Sequence, residues 1–352
     1  MKSSKRAPCW AGRAVAFVFA ACLLVSPAGA AQKPNCEDVT LPVSVLAGGP
    51  KSYSLYGELC HPDGGPSSVI QILVHGYTYD HRYWSNPAFG AAYDYVAAAN
   101  EAGYTTFAID RLGSAGLSSR PLSALVTMLA DAVSLHDVVS AARSGAVPGG
   151  PYETVLSVGH SLGTAAAWLE ASLYHDVDGL ISSGLGHPIG NIHGLVLQSL
   201  PALLDWRLRP LVGLDAGYLT TTPGARANLF YRAATADPAV IAHDEATKGL
   251  GTAAEIATLL LYEAATLSID VPVLLVLGEY DGFFCLQAGN GGLDNCASNA
   301  TLDASERVFF PLSPDFEAWV QQEAGHNNNL HFNAEGWFAK ANDWALARFP
   351  PQ

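Results

Sequence analysis

Hydrophobic positions along this chain fall into two textures. Short runs at 69–74, 105–109, 154–158, 177–181 and 271–277 lack polar alternation, and 316–321 follows as a last run of the same length class. Runs of this kind are strands buried on both faces, the mark of a mostly parallel sheet. Between them lie stretches with a helical period. These are 88–101, closed by Gly103; a helix from Ser123 to about residue 142, with Leu125, Met128, Leu129, Ala132 and Leu135 on one buried face; and 162–174. Ahead of the alternation, 39–46 and 53–59 flank Gly48-Gly49-Pro50 and read as a hairpin. The rhythm breaks between Ile181 and Val271. That interval offers helix-like stretches at 192–204, 223–233, 238–247 and 252–266 and no convincing strand. The pattern predicts an α/β protein with a doubly wound, mostly parallel sheet in one domain, 31–352. An all-helical cap, about 187–268, is inserted before the strand that leads to Asp281.

The first thirty residues have a different character. Lys2, Lys5, Arg6 and Arg13 precede an apolar run from Val15 to Val25, and Pro27-Ala28-Gly29-Ala30 ends it with small residues. This is the form of a secretory signal peptide, 1–30, cleaved after Ala30. Its apolar run is too short for the ~20 residues of a spanning helix, so no stable membrane anchor is expected. Its removal changes the charge and cysteine counts. Taking four cations from 18 leaves 14 against 32 acids, a net charge of about −18 rather than −14. With charged residues at only 14%, against ~25% in an average domain, and no basic patch, nucleic acid is excluded as a partner. Cys9 and Cys22 leave with the signal. Cys36, Cys60, Cys285 and Cys296 remain, and in an oxidising compartment proximity pairs Cys36 with Cys60 and Cys285 with Cys296. Asn299-Ala300-Thr301 is an acceptable glycosylation sequon beside the second pair.

The chemistry centres on Gly159-His160-Ser161-Leu162-Gly163, between a strand and a helix. G-x-S-x-G alone is weak. Its context matters, because a tight strand-to-helix turn needs small residues two before and two after the serine it presents. A serine hydroxyl also needs a base, and the base needs an acid to orient it. Asp281 follows the 271–277 strand, where open α/β sheets place their sites, with Glu279 and Asp294 as its nearest substitutes. His326 follows Gly325 directly after 316–321 and is favoured over His331, which is expected to begin the final helix. After the 69–74 strand, Gly76 lets the backbone approach a substrate oxygen. The amides of Tyr77 and Leu162 would then form a two-donor oxyanion hole. The two histidines are not spaced as zinc ligands and no third ligand is local, so neither metal nor cofactor is expected.

Taken together these residues resemble the α/β-hydrolase superfamily, over nearly all of the chain beyond residue 30. The likeness runs from His75-Gly76 through Asp110-Arg111-Leu112-Gly113-Ser114 and the Ser161 turn to Gly278-Glu279-Tyr280-Asp281 and Gly325-His326. The resemblance implies Ser161 as nucleophile, His326 as base and Asp281 as its orienting acid, with Asp110 and Arg111 structural. Serine at 161 disfavours the dehalogenase and epoxide-hydrolase branches, which use aspartate there. It further implies a secreted, extracellular esterase, lipase or lactonase working through an acyl-enzyme on a small apolar substrate. An acyltransferase, thioesterase or amidase of natural-product metabolism is the alternative, and a non-catalytic binding protein on the same scaffold is the remaining one. Leu195, Val196, Leu197, Leu200, Leu203 and Leu204 lead one to expect a wide apolar cap face beside the nucleophile. Oligomeric state is not legible.

Overall fold

The computed structural model describes residues 35–352; the expected leader 1–30, with Cys9 and Cys22, lies outside the described residues. The chain alternates as the apolar runs require: β1 (Cys36–Val43), β2 (Tyr53–Cys60), β3 (Val69–Val74), α1 (Tyr95–Glu101), β4 (Thr105–Ile109), α2 (Met128–Ser144), β5 (Thr154–His160), α3 (Leu162–Tyr174) and β6 (Gly179–Ser183). After the insertion come β10 (Val273–Gly278), α10 (Asn299–Glu306), β11 (Phe316–Gln321) and α11 (Ala334–Arg348). Eight strands form one sheet in the order β1-β2-β4-β3-β5-β6-β10-β11. β1 and β2 join antiparallel to the edge at β4, and every pairing from β4 to β11 is parallel. Every residue of β3 and β10 is buried, as a sheet covered on both faces demands. The α/β-hydrolase fold inferred from the sequence is borne out.

The hairpin sets Cys36 directly opposite Cys60, and the two are disulfide-bonded, as are Cys285 and Cys296. Two helix starts differ from the sequence pattern. α1 begins at Tyr95 rather than 88, because the Asp94 carboxylate accepts the Ala97 amide at 2.9 Å and so caps the helix. α2 begins at Met128, capped by Thr127, because Ser123 is held elsewhere: its amide and hydroxyl both donate to Asp215, at 2.8 and 2.6 Å. Leu125 and Leu129 are therefore exposed. The buried face carries Met128, Ala132, Leu135, Val139 and Ala142, one residue out of phase with Leu129.

The expectation of an all-helical cap is corrected. Between β6 and β10 the chain forms α4 (Ile192–Leu197), β7 (Ser199–Pro201), α5 (Arg209–Val212), β8 (Tyr218–Thr221), α6 (Ala225–Phe230), α7 (Pro238–Ala246), β9 (Gly251–Thr252), α8 (Ala253–Thr258) and α9 (Tyr262–Ala265). β7, β8 and β9 make a small antiparallel sheet. Strands of two to four residues are too short to display a period of two, so the sequence hides them.

A buried ion pair ties the insertion to the main sheet. Arg226 of α6 is fully buried and grips Asp244 of α7, through Nε to Oδ2 at 2.9 Å and Nη2 to Oδ1 at 2.8 Å. Its Nη1 donates to Thr78 Oγ1 at 2.7 Å, on the loop leaving β3. Tyr79 and Tyr231 hydroxyls complete the shell around Asp244, at 2.9 and 2.8 Å. Arg226→Met leaves a buried carboxylate without its partner and is expected to cost about 3–5 kcal/mol of stability. Arg226→Met/Asp244→Asn should recover part of that loss. Urea unfolding of the two variants measures the difference, and equal losses would show that the charge pairing is not what holds this contact.

Candidate active site

At the turn between β5 and α3, Ser161 sits at φ 53°, ψ −120°, a left-handed conformation rarely tolerated by a residue with a side chain. The neighbouring glycines show why the turn closes. A Cβ on Gly159 would run into the Thr164 backbone, and one on Gly163 into the carbonyls of Val74 and His75 at the end of β3. Only bare backbone lets α3 start this close to the sheet, and the closeness turns the hydroxyl outward. Ser161 remains partly exposed while its neighbours are buried.

Ser161, His326 and Asp281, 120 and 45 residues apart along the chain, are brought into one line. His326 Nε2 lies 3.0 Å from Ser161 Oγ, and Nδ1 lies 2.8 Å from Asp281 Oδ2. Asp281 is wholly buried, and its second oxygen accepts the Phe283 amide at 2.9 Å, which fixes the carboxylate's orientation. A carboxylate accepts only, so the imidazole carries its proton on Nδ1 and offers Nε2 to the serine. The rival residues stand elsewhere. Asp294 is buried beside Glu306, with burial first and then that neighbour pushing its carboxyl up to about 9; its Oδ1 accepts the Ser305 hydroxyl. Glu279 accepts the Glu323 amide at 2.9 Å.

His331 does not start α11, which begins three residues later. It is buried under the His326 loop. Its Nε2 accepts the amides of Gly325 and Arg232, at 2.9 and 3.1 Å, while Nδ1 donates to the Asn327 carbonyl at 2.8 Å. A ring that accepts two amides at one nitrogen must be neutral, and burial holds its pKa down at about 4.

The loop after β3, where an oxyanion hole is expected, is held from behind. Arg111 is buried, and its Nε and Nη2 donate to the carbonyls of His75 and Gly76, at 3.0 and 3.3 Å. Its Nη1 pairs with Asp131 of α2 and Glu255 of α8. With both carbonyls turned to Arg111, Tyr77 and Leu162 stand at the head of the cleft, and among the described residues neither amide has a backbone acceptor. The narrow cleft above Ser161 is walled by Leu185, Ile189, Leu195, Phe230, Leu259 and Phe283. Of the cap leucines expected to face it, only Leu195 does; Val196, Leu197 and Leu204 point to solvent. Two contributors escape sequence reading. His160 is buried against the Tyr83 ring, with centroids 4.4 Å apart, and burial keeps it neutral. Phe283 meets the His326 ring edge-on at 4.7 Å.

The neutral requirement on His331 sets a pH response. Its lowered pKa means that its contribution is complete above the ordinary histidine range near 6.5 and is lost as pH falls through about 4. Over that window His331 should account for about 2–3 kcal/mol of the stability lost. Unfolding at pH 7 and pH 4.5 should show a smaller acid loss for His331→Gln than for the parent chain; equal losses would assign the acid sensitivity to other groups.

The model of the alpha/beta hydrolase family matches residues 71–341. Comparison with curated protein sequences gives no match. Among solved structures, the chain is similar to a monoacylglycerol lipase from Paleococcus ferrophilus, 17% identical with TM-score 0.55, over 83% of this chain and 98% of that one. It is similar as well to a thermophilic esterase from Thermogutta terrifontis, 18% identical with TM-score 0.56, over 88% and 98% of the two chains. A putative aryl esterase from Burkholderia cenocepacia is 17% identical with TM-score 0.55, over 89% and 100%. At such identities the likeness is one of fold. With the family model spanning most of the sequence, from β3 into α11, the chain belongs to the alpha/beta hydrolase family.

Proposed function

We propose that this protein is a secreted serine hydrolase that cleaves a neutral, apolar ester or lactone through an acyl-enzyme. The observation that carries the reading is the line Ser161 Oγ, His326 Nε2, Nδ1, Asp281 Oδ2, with its 3.0 and 2.8 Å spacings, at the floor of an apolar cleft. Ser161 attacks the carbonyl carbon while His326 Nε2 takes the hydroxyl proton. Asp281 accepts from Nδ1 throughout and stabilises the imidazolium. The carbonyl oxygen, now an oxyanion, receives the Tyr77 and Leu162 amides, each worth about 3–4 kcal/mol in the transition state. His326 then returns the proton to the departing alcohol. Water repeats the sequence from the other side and releases the acid. Esterase and lipase titles among the structural neighbours accord with ester cleavage, but the argument for it here is the site.

The cleft walls favour an apolar acyl group. The tyrosine hydroxyls nearest them are already engaged, Tyr77 donating to Ser199 and Tyr79 to Asp244, and among the described residues no lysine or arginine lines the cleft to meet an anionic substrate. Secretion belongs to the same reading, supported by the leader at 1–30 and by the Cys285–Cys296 bond just beyond Asp281. So does glycosylation at Asn299, which is exposed and uses its amide oxygen to accept the Val320 amide.

A fluorophosphonate probe should label the wild-type chain at one site and leave Ser161→Ala unlabelled. Equal labelling of the two, or none of the wild type, would defeat the serine mechanism. Among p-nitrophenyl esters, kcat/KM should rise with the first few acyl carbons. It should drop at least about tenfold when the acyl group carries a terminal carboxylate, since an unpaired charge in an apolar cleft is not compensated. A preference for the charged ester would overturn the substrate assignment while leaving the nucleophile intact.

A further inference from the structure

We propose that His136, Glu170 and Asp176 form a binding site for a divalent transition metal of the zinc type. His136 stands on α2 and Glu170 on α3. His175 ends α3 in a left-handed turn at φ 51°, and that reversal brings Asp176 back against His136. One donor atom from each residue lies within 4.8 Å of the other two. His136 Nδ1 is 2.7 Å from Asp176 Oδ2 and 3.9 Å from Glu170 Oε1. Ligands held about 2.0–2.2 Å from a tetrahedral ion sit roughly 3.4 Å from one another, midway between these two spacings.

The second observation is the Glu170 carboxylate itself. It is completely buried, and no N–H or hydroxyl donor reaches either oxygen; the buried Oδ1 of Asp176 has no such donor either. Buried polar atoms are nearly always satisfied, so two carboxylates that face one another around one imidazole, with no donor group for three of their oxygens, make a place for a cation. The nearby cation does not serve. Arg143, from α2, spends Nη2 on the Asp176 carbonyl at 2.9 Å and the Asp178 carboxylate at 2.6 Å. Without an ion, Glu170 keeps a proton that bonds it to Asp176, its pKa pushed well above the carboxylate range by burial and then by that side-chain hydrogen bond, so a cation would take the place of this proton. A comparable cluster at Asp80, His81 and Asp110 differs in this respect. There Asp110 accepts from the His81 and Leu117 amides and Asp80 accepts from Arg82, so its oxygens are engaged.

The donor set selects the ion. One imidazole nitrogen with two carboxylates suits Zn²⁺, whereas Ca²⁺ and Mg²⁺ prefer shells made of oxygen alone. Two carboxylates neutralise a divalent charge. His136 is braced by the Tyr174 ring, stacked 3.7 Å away. The His136 and Asp176 side chains are 31% and 25% exposed, which leaves a path in and room for a water as fourth ligand. Binding displaces the Glu170 proton to solvent, while the His136 proton passes from Nδ1 to Nε2 as the imidazole changes tautomer and Nδ1 becomes the ligand atom, so affinity rises with pH. The ion would pin α2, α3 and the chain before β6 together. Glu170 is nine residues from the nucleophile, roughly 13 Å along α3, so the role is structural and independent of the hydrolase assignment.

The test is calorimetric titration of ZnCl₂ into the full chain after treatment with chelator and desalting. We expect one ion per chain, a melting temperature raised by several degrees, weaker binding at pH 6 than at pH 7.5, and no heat with CaCl₂. Glu170→Gln, which keeps size and burial, should weaken binding about tenfold or more while ester turnover of the metal-free chain stays as in wild type. Should that variant fail to fold, Asp176→Asn on the exposed rim must produce the same loss. Absence of one-to-one binding, wild-type affinity in the variants, or Ca²⁺ binding as tightly as Zn²⁺ would each overturn the site.

Discussion

The site depends on one close approach, the first turn of α3 against the end of β3. Gly163 lies where any side chain would collide with the Val74 and His75 carbonyls, and Gly159 where one would collide with Thr164. Because the backbones meet there, Ser161 is forced to φ 53° and its hydroxyl stands clear of the sheet. The same contact sets the Leu162 amide, at a helix N-terminus, beside the loop that carries Tyr77. Backbone strain at Ser161 costs on the order of 1–3 kcal/mol and persists only because the strand and helix on either side over-determine it.

Around that approach, the polar interior is spent on loops. A chain with only 14% charged residues nevertheless buries both Arg111 and Arg226. Arg111 holds the carbonyls just before Tyr77, and Arg226 holds Thr78 just after it. Both guanidiniums find their carboxylates partly in the insertion, Glu255 for one and Asp244 for the other. The loop that carries Tyr77 is thus clamped from both ends by groups that also hold the cap in place. His331 does the corresponding work for His326 as a neutral acceptor of two amides. These residues act on position, and none of them lines up with the serine.

Much of the fold was legible because parallel strands covered on both faces leave an unbroken apolar run; 69–74, 105–109 and 316–321 carry the boundaries the structure has. The front of α2 was not. Leu125 fits a helical period by number, but Ser123 is captured by Asp215, ninety-two residues away, and the helix waits for Thr127. The three cap strands pair across insertions and are too short to carry a pattern of their own. In the site, Ser161 was legible from its flanking glycines, and Asp281 and His326 from their places after strands. Phe283, Arg226 and Thr78 carry no local signal, since an aromatic or an arginine in a loop reads the same whether it faces water or a neighbour.

The sequence by itself determined the class of sheet, the strand-to-helix turn at Ser161 and the chain order of serine, aspartate and histidine, because each of these is written in local spacing and residue type. The tertiary structure alone decided which cap residues wall the cleft, that His331 lies beneath the His326 loop as an acceptor of two amides, and which buried charges meet. Those outcomes depend on contacts between residues tens to hundreds of positions apart, where the free energy of pairing and desolvation is set by neighbours that a linear pattern does not name.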